Sequence, residues 1–422
     1  MPNLHDLFHQ HAPKPRRHLN TGAVISQGIR RRSMRRVAFA VAGAALCLAT
    51  VAAAFALGDV IGRDEERLPP ANNEAEASDF FDEFHPEWNE FLPPSAPRSD
   101  AVTAWISGAA PGRDFVFWGG TTHADDKDYN DGFTWDARSG EWQPMAEAPL
   151  AGGIEFGSAW TGEELIVCCG YPETTDEYGG AAYDPATDSW RRLAPGPLNP
   201  LGAPVCMTWT GSEVFMWGSQ ERELDVKAGA LYEPIDDRWE EIPAAPEIIN
   251  QGFCEVIQTE TGEREVIVFG SDLDHRNRAE EPHAFGMAFN LQTRTWRKLP
   301  DVDLSPQASA IGWTGRELLA WDYDLNAALY DPSENRWNDV PDVPGRFQEC
   351  YPQSTEVNIY VMAWYCGQAA LWDTRERVWI PIDAPKQEIP GTAVTADDAV
   401  MLVGTVGGEE VGEHWVYVPP EQ

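Results

Sequence analysis

A tryptophan that recurs in one fixed frame constrains the fold of this chain more than any other feature. In six places an aromatic residue followed by Asp, Glu or Asn precedes a tryptophan by seven residues. These pairs are Trp135/Trp142, Tyr183/Trp190, Tyr232/Trp239, Phe289/Trp296, Tyr330/Trp337 and Trp372/Trp379. Because the second members recur every 41 to 57 residues, the sequence predicts an array of repeated supersecondary units.

A second marker within the repeats is a Trp-Thr-Gly turn that is followed by an apolar strand. It occurs at Trp160-Thr161-Gly162, Trp209-Thr210-Gly211 and Trp313-Thr314-Gly315. Glycine tolerates positive φ, which suits a tight hairpin. The apolar runs that follow, such as 165–167 and 214–217, are typical of strands buried on both faces. Each unit therefore reads as four strands, and no segment of the repeat region predicts a helix.

The two ends of the repeat region complete one another. Units begin near 101, 154, 205, 252, 307, 350 and 392, and the last of them stops before a fourth strand. The segment 87–93 parallels 238–243, so we expect an N-terminal strand at Trp88 to close the last unit and hide its edges. The structural repeat then comprises Trp88, Trp142, Trp190, Trp239, Trp296, Trp337 and Trp379.

Over residues 83–420 this pattern resembles the kelch-repeat propellers, including the central domain of galactose oxidase-like proteins. The resemblance is carried by Gly119-Gly120, by the Tyr-Asp-Pro runs at Tyr183 and Tyr330, and by the spaced tryptophans. It implies an all-β, seven-bladed kelch-like β-propeller. The double glycine after the second strand is intact only at Gly119-Gly120; at that position other repeats have Cys169-Gly170 or Gly218-Ser219, so no family activity is carried over.

The region before the repeats divides by charge and hydropathy. Residues 37–58 contain no charged side chain, which predicts one transmembrane helix. Arginines at 30–36 precede it and acidic residues follow, so residues 1–36 are expected to be a cytoplasmic basic tail and 59–82 an acidic linker. The propeller would then lie outside the cell on a single-pass anchor. Signal-peptide cleavage near 52–56 stays open as the alternative. This organisation also resembles membrane proteins common in actinobacteria.

The charge balance limits the partners. Residues 1–36 hold eight Lys/Arg and one acidic residue, whereas the remaining residues hold 23 basic and 67 acidic side chains, a formal charge of −44. A body this acidic repels nucleic acid. The expected partners are the membrane, through the helix, and an extracellular protein or glycan; the oligomeric state is not predicted.

Six cysteines follow the apolar segment, and an even number in an oxidising compartment predicts disulfides. Cys350 and Cys366 flank a predicted hairpin, so a bond between them is expected. Cys206 is expected to pair with either Cys169 or Cys254, and the sequence leaves that choice open.

Residues for ligand contact are sought in the loops, because the repeat tryptophans are better explained by packing between units. The loop aromatics Tyr129, Tyr171, Tyr178 and Tyr351 are the candidates. Asp126, Asp128 and Asn130 alternate as in a calcium loop. The glycine of that loop comes one place late, however, and Ala137 replaces the closing Glu, so an acidic turn is favoured and no metal or other cofactor is expected.

Enzyme signatures are scarce in the chain. There is no G-x-S-x-G, P-loop, H-E-x-x-H or sialidase-type repeat motif. We therefore expect a membrane-anchored extracellular propeller that binds a protein or glycan. The alternatives are a cell-surface carbohydrate-active enzyme (an oxidase, lyase or epimerase) with its site in the propeller funnel, and a sensor that acts through the basic tail.

Overall fold

The computed structural model describes a large part of the repeat region. The described residues are 89–91, 98, 100–122, 127–172, 179–197, 204–218, 228–249, 251–259, 262–271, 284–305, 310–322, 324–345, 353–357, 360–365, 368–382, 391–396, 399–404 and 414–417. Within them every regular element is a strand, and no helix is present that could span a membrane. The predicted tail, transmembrane helix and acidic linker lie outside these residues.

The described strands form seven four-stranded antiparallel sheets, numbered here along the chain. Sheet 1 contains β2 (Val102–Ala110), β3 (Arg113–Trp118), β6 (Gly132–Trp135) and β7 (Trp142–Pro144). Sheet 2 contains β9 (Gly157–Trp160), β10 (Leu165–Cys168), β12 (Gly180–Asp184) and β13 (Ser189–Arg192). Sheet 3 contains β14 (Cys206–Trp209), β15 (Val214–Trp217), β16 (Gly229–Glu233) and β17 (Arg238–Ile242).

The later sheets repeat this order. Sheet 4 contains β18 (Gln251–Gln258), β19 (Arg264–Ser271), β20 (Phe285–Asn290) and β21 (Thr295–Lys298). Sheet 5 contains β22 (Ala310–Trp313), β23 (Leu318–Trp321), β24 (Ala327–Asp331) and β25 (Arg336–Asp339). Sheet 6 contains β26 (Gln353–Val357), β27 (Tyr360–Tyr365), β28 (Gln368–Asp373) and β29 (Val378–Ile382). Two short pairs, β4 (Thr121–Thr122) with β5 (Lys127–Asp128) and β8 (Gly153–Ile154) with β11 (Tyr171–Pro172), lie in connecting segments.

Sheet 7 joins both ends of the described chain. It contains β30 (Gly391–Ala396), β31 (Ala399–Gly404), β32 (His414–Tyr417) and, as its outer strand, β1 (Asn89–Phe91). Asn89 pairs with Val416 and Phe91 with His414. The N-terminal strand therefore completes the last sheet, as the match at Trp88 predicts, although Trp88 itself lies outside the described residues.

The sheets stand side by side in a β-propeller arrangement. The first strand of each sheet lies against the first strand of the next, from β2 through β9, β14, β18, β22 and β26 to β30, and β30 lies against β2. Apolar clusters fill the spaces between consecutive sheets: Val116 and Val167 share one, and Phe215 and Val268 share another. The second strands are unbroken apolar runs because both of their faces are covered in this way.

The repeat tryptophans connect neighbouring sheets by hydrogen bonds. The indole Nε1 of a tryptophan donates to the carbonyl of the residue four places after the tryptophan of the preceding sheet. The bonds are Trp190 to Ala146 (3.0 Å), Trp239 to Ala194 (2.9 Å), Trp296 to Pro243 (2.8 Å), Trp337 to Pro300 (3.0 Å) and Trp379 to Pro341 (2.7 Å). The same rings pack on the paired aromatics, for example Tyr232 on Trp239 with centroids 4.8 Å apart. These contacts place the tryptophans in the scaffold.

Candidate functional site

Each sheet has two unlike ends. At one end, strands one to two and three to four are joined by short turns; we call this the turn side. At the other end, longer segments join strands two to three and lead on to the next sheet; we call this the loop side. Of the predicted ligand-contact residues, Tyr129 and Tyr171 belong to the loop side, where binding residues of repeat scaffolds usually lie.

On the loop side of sheets 1 and 2, three connecting segments lie against one another, and Lys127, Asn130 and Asp131 are exposed there. Gly152 lies directly against the backbone of the segment at Asp128 and Tyr129, since a Cβ on Gly152 would be 3.0–3.1 Å from atoms of both residues. On its other side the same segment continues as β8, in which Ile154 pairs with Tyr171 of β11. These segments, at 119–122, 127–131, 150–156 and 168–172, form the candidate site, and we call it the loop cluster.

A buried arginine holds the first segment of the loop cluster in place. Arg98 is 5% exposed, and its guanidinium donates to the carbonyls of Gly119 (3.3 Å) and Asp131 (3.2 Å). It also forms an ion pair with the Asp131 carboxylate at 2.8 Å. The paired charge and hydrogen bonds offset the cost of removing this guanidinium from water.

Two cations lie over the ring of Tyr129. The Arg98 guanidinium lies 3.8 Å from the centroid of its ring, and Lys127 Nζ lies 4.4 Å from it. Cation–π contacts of this kind fix the ring but leave the exposed ammonium of Lys127 facing solvent. The first segment therefore presents an ordered surface that combines an aromatic ring with mixed charge.

The third segment of the loop cluster begins with two adjacent cysteines. Cys168 and Cys169 are joined as a disulfide, with Cα atoms 3.7 Å apart, and Cys169 has a φ of 65°. Gly170 follows in close approach to Ile154, whose carbonyl oxygen would be 2.6 Å from a Cβ at Gly170. The chain is thus sharply bent where it meets the neighbouring segment, which fixes one edge of the cluster.

The structure joins two of the four predicted ligand-contact tyrosines through this cluster. Tyr129 and Tyr171 belong to segments that flank 150–156. Tyr178 and Tyr351 lie outside the described residues. Arg98 and Lys127, which position Tyr129, were missed by sequence reasoning because an isolated arginine before the first strand carries no motif.

Two residues of the calcium-like pattern, Asp128 and Asn130, make backbone contacts within the fold. Asp128 belongs to β5 and pairs with Thr121, and the Asn130 carbonyl accepts a hydrogen bond from Trp118 Nε1 at 3.0 Å. Asp126 lies outside the described residues. The part of the chain that the structure describes contains no group of three or more His, Cys, Asp or Glu side chains placed to hold a metal.

The structure tests the predictions for Cys206 but not the predicted pair Cys350–Cys366. Cys206 and Cys254 form a disulfide between the first strands of sheets 3 and 4, which selects one of the two partners left open for Cys206. The alternative with Cys169 is wrong, because Cys169 is bonded to its neighbour Cys168. Cys350 and Cys366 lie outside the described residues, so that pair stays a prediction.

Clusters of titratable side chains occur on the turn side, at the junctions between sheets. At the junction of sheets 1 and 2, Arg113 donates to the Tyr183 hydroxyl at 2.7 Å and to Asp188 at 3.0 Å. Burial raises the pKa of the Tyr183 hydroxyl. Burial opposes ionisation of Asp188 as well, but the Ala146 amide, the Tyr183 hydroxyl and the Arg113 guanidinium together hold its pKa below the ordinary value.

Repetition shows that these clusters are structural. Arg191 makes the same contacts with Tyr232 and Asp237, and Arg297 makes them with Tyr330 and Asn335. The acceptor always lies two residues before the repeat tryptophan, at a position with positive φ. This position is occupied by Gly140, Asp188, Asp237, Arg294, Asn335 and Arg377, with φ between 48° and 71°. A reaction centre would occur as one such cluster of titratable side chains, whereas contacts that hold successive repeats together occur at several junctions.

Comparison with known proteins supports the architecture alone. Neither a protein-family model nor a curated protein matches the sequence. A solved structure described as "YCF48 bound to D1 peptide" superposes on 80% of this chain and 96% of its own, with a TM-score of 0.53 and 14% sequence identity. At that identity the similarity establishes a shared β-propeller fold.

The chemistry available at the loop cluster is that of recognition. It offers ordered backbone segments, one aromatic ring, an exposed lysine and the Asp131 carboxylate, whose side chain is 57% exposed. No nucleophile–base pair occurs among the described contacts of this surface. Such a surface suits hydrogen bonding and charge pairing with an extended ligand.

Proposed function

We propose that this protein is a binding module: a seven-bladed kelch-type β-propeller, held at the outer face of the cell membrane by residues 37–58, that binds a protein segment at the loop cluster. The observation that carries the proposal is the loop cluster. It contains the loops between strands two and three of sheets 1 and 2, and the segment that connects these two sheets. The titratable groups on the opposite side are used for fastening sheets together.

The kelch assignment and the blade number are supported by the repeat frame and by the succession of first strands from β2 to β30. The anchor and the outward orientation are supported by the uncharged run at 37–58 and by the arginines before it. Disulfides in the propeller suit an oxidising compartment.

A protein segment is the favoured ligand for two reasons. The YCF48 structure is described as binding a peptide, and it shares the propeller fold. The loop cluster also presents an ordered backbone and paired charges, which are the groups that recognise an extended chain. A glycan is the alternative outcome of the test.

A peptide-display selection and a glycan array with the full chain in detergent micelles test the proposal. Lys127→Glu reverses the exposed charge of the loop cluster and should weaken selected peptides by about tenfold or more, as expected for loss of a central charged contact. Arg238→Glu is the matched control, since Arg238 is exposed on the turn side of sheet 3 and pairs with Glu233; it should leave binding unchanged. Equal loss in both variants, or binding of glycans alone, would contradict the proposal.

The topology has its own test. Protease added to intact cells should digest an epitope placed after Gln422 and spare one placed before Met1. The reverse pattern, or release of the propeller into the medium, would contradict the anchor.

A further inference from the structure

Three arginines occupy one position of the repeat, next to the acidic residue near the start of the second strand. Arg113 precedes Asp114, Arg264 precedes Glu265 and Arg316 precedes Glu317. This shared position allows their surroundings to be compared directly. Arg113 forms an ion pair and Arg316 is exposed to water, whereas Arg264 is part-buried without an ion pair among the described residues.

The surroundings of Arg113 and Arg316 account for their charges. Arg113 forms an ion pair with Asp188 at 3.0 Å and is largely buried. Arg316 is exposed and lies close enough to Asp331 to help hold the pKa of that carboxyl below its ordinary value, against the effect of burial. The charge of Arg113 is therefore paired within the molecule, and the charge of Arg316 is hydrated.

Arg264 lies against the turn of sheet 3 instead. A Cβ placed on Gly211 would be 2.9 Å from its Nη2 and 3.1 Å from its Nη1, so the guanidinium covers the Thr210–Gly211 backbone. Among the described residues, no carboxylate lies within ion-pair distance of it. Burial lowers the pKa of Arg264, whereas the hydrogen bonds that Arg191 donates to Glu164 raise the pKa of Arg191.

A second arginine at the same junction has hydrogen-bond donors that are not used. Arg294 Nη2 donates to both oxygens of Glu213, at 2.9 Å each. Its Nη1 is buried without a hydrogen-bond partner in the described part of the chain. Phe289 stands where Tyr183, Tyr232 and Tyr330 lie in three other repeats, so Phe289 offers no hydroxyl to accept a bond. The junction of sheets 3 and 4 thus brings two guanidinium groups together with the Glu213 carboxylate.

We propose that the turn side of the sheet 3–sheet 4 junction binds a small oxyanion, through the Arg264 guanidinium and in the field of Arg294. Guanidinium groups present paired donors that match two oxygens of a carboxylate or a phosphoryl group. The bound group neutralises the excess positive charge that Glu213 leaves. Arg294 is fixed by Glu213 and so contributes its charge without having to move.

The oxyanion site lies on the turn side and is separate from the loop cluster. The chain after residue 36 has a formal charge of −44, so its general field repels anions. An anion that binds here must be recognised locally, by these arginines. The protein then has two separate recognition surfaces: the loop cluster for a protein segment, and an oxyanion site on the opposite side of the propeller.

Isothermal titration of the full chain, in non-ionic detergent at low ionic strength, tests the site with inorganic phosphate and, separately, with glutarate. We expect saturable binding of roughly millimolar affinity, as for a single exposed charge-paired contact. Arg264→Gln should weaken it about tenfold or more, because the paired donors are lost. Arg264→Lys, which keeps the charge but not the fork, should give an intermediate value.

Arg316→Gln is the matched control and should bind like the unaltered protein, because Arg316 occupies the same repeat position in sheet 5. The near-ultraviolet circular dichroism of every variant should match the parent, which establishes that the fold is retained. The stronger of the two probes identifies phosphate or carboxylate as the natural group. Absence of saturable binding, or equal loss in Arg264→Gln and Arg316→Gln, would overturn the proposal.

Discussion

Asp188 offers a sharp test of how the sheets are fastened together. Its Oδ1 accepts hydrogen bonds from the Ala146 amide (3.1 Å), the Tyr183 hydroxyl (2.8 Å) and Arg113 Nη1 (3.0 Å), and its Oδ2 pairs with Arg113 Nη2 (3.0 Å). The Ala146 and Arg113 contacts connect sheet 1 to the third-to-fourth-strand turn of sheet 2, and the Tyr183 contact fixes that turn within sheet 2. Substitution at Asp188 should therefore lower the stability of the whole propeller.

Two substitutions separate the contributions. Asp188→Gly removes every bond but keeps a residue that tolerates a φ of 49°, as Gly140 does in sheet 1. The two hydrogen bonds to uncharged donors contribute about 1 kcal/mol each, and the ion pair contributes about 1 kcal/mol more after screening, since the Asp188 side chain is 34% exposed. We expect a loss of about 3 kcal/mol. Asp188→Asn keeps the acceptor, as Asn335 does in sheet 5, and should cost about 1 kcal/mol.

Urea unfolding of the full chain, followed by tryptophan fluorescence, measures both losses as shifts in midpoint at constant slope. The pH dependence adds a second readout. The folded-state pKa of Asp188 lies below its unfolded value, so its stabilisation is present above the unfolded pKa and is lost as pH falls towards the folded pKa. Both variants should lose less stability on acidification than the parent protein does.

Asp236→Asn is the control, because Asp236 is exposed in the equivalent turn of sheet 3, beside the contact residue Asp237. It should change stability by less than about 0.5 kcal/mol. If Asp188→Gly costs no more than this control, or if Asp188→Asn costs as much as Asp188→Gly, the contacts of Asp188 do not fasten the sheets in the way described.

Two further predictions concern the junction of sheets 3 and 4. Glu213→Arg and Arg294→Glu should each destabilise the protein. The double variant should recover about 1 kcal/mol or more of the free energy of unfolding relative to the sum of the two single losses, because the pair is part-buried and bidentate. Additive losses in this double-mutant cycle would show that the pair is not coupled. Replacing Cys206 and Cys254 together with serine should lower the free energy of unfolding by about 4 kcal/mol from loop entropy alone, given the 48-residue separation. Differential scanning calorimetry, with and without reductant, measures it, and an unchanged profile would rule out the bond.

The sequence predicts the architecture well because its repeat positions carry packing and backbone constraints. The spacing of Trp190 and Trp239 encodes a hydrogen bond to the preceding sheet, and the unbroken strand 214–217 encodes burial on both faces. The N-terminal strand is found by the same argument, from its similarity to the fourth strands.

The site is less accessible to sequence reasoning. Arg98 reaches Tyr129 and Asp131 from outside the repeat frame, and its partners follow only from the three-dimensional path of the chain. The unbalanced Arg264 is visible only by comparison with Arg113, whose carboxylate lies in the next sheet. Charge balance between distant segments leaves no local pattern to read.

The pairing of β1 with β32 makes the order of folding depend on the direction of synthesis. β1 emerges from the ribosome first, yet its partner is the last strand of the described chain. Until β32 has been synthesised, Asn89–Phe91 lacks its pairing strand. The partly synthesised protein therefore exposes unsatisfied backbone donors and acceptors at β1 and at the open edge of sheet 7. This longest-range contact is therefore the last to form, and we expect closure of the ring to set the time during which the nascent protein needs protection from aggregation.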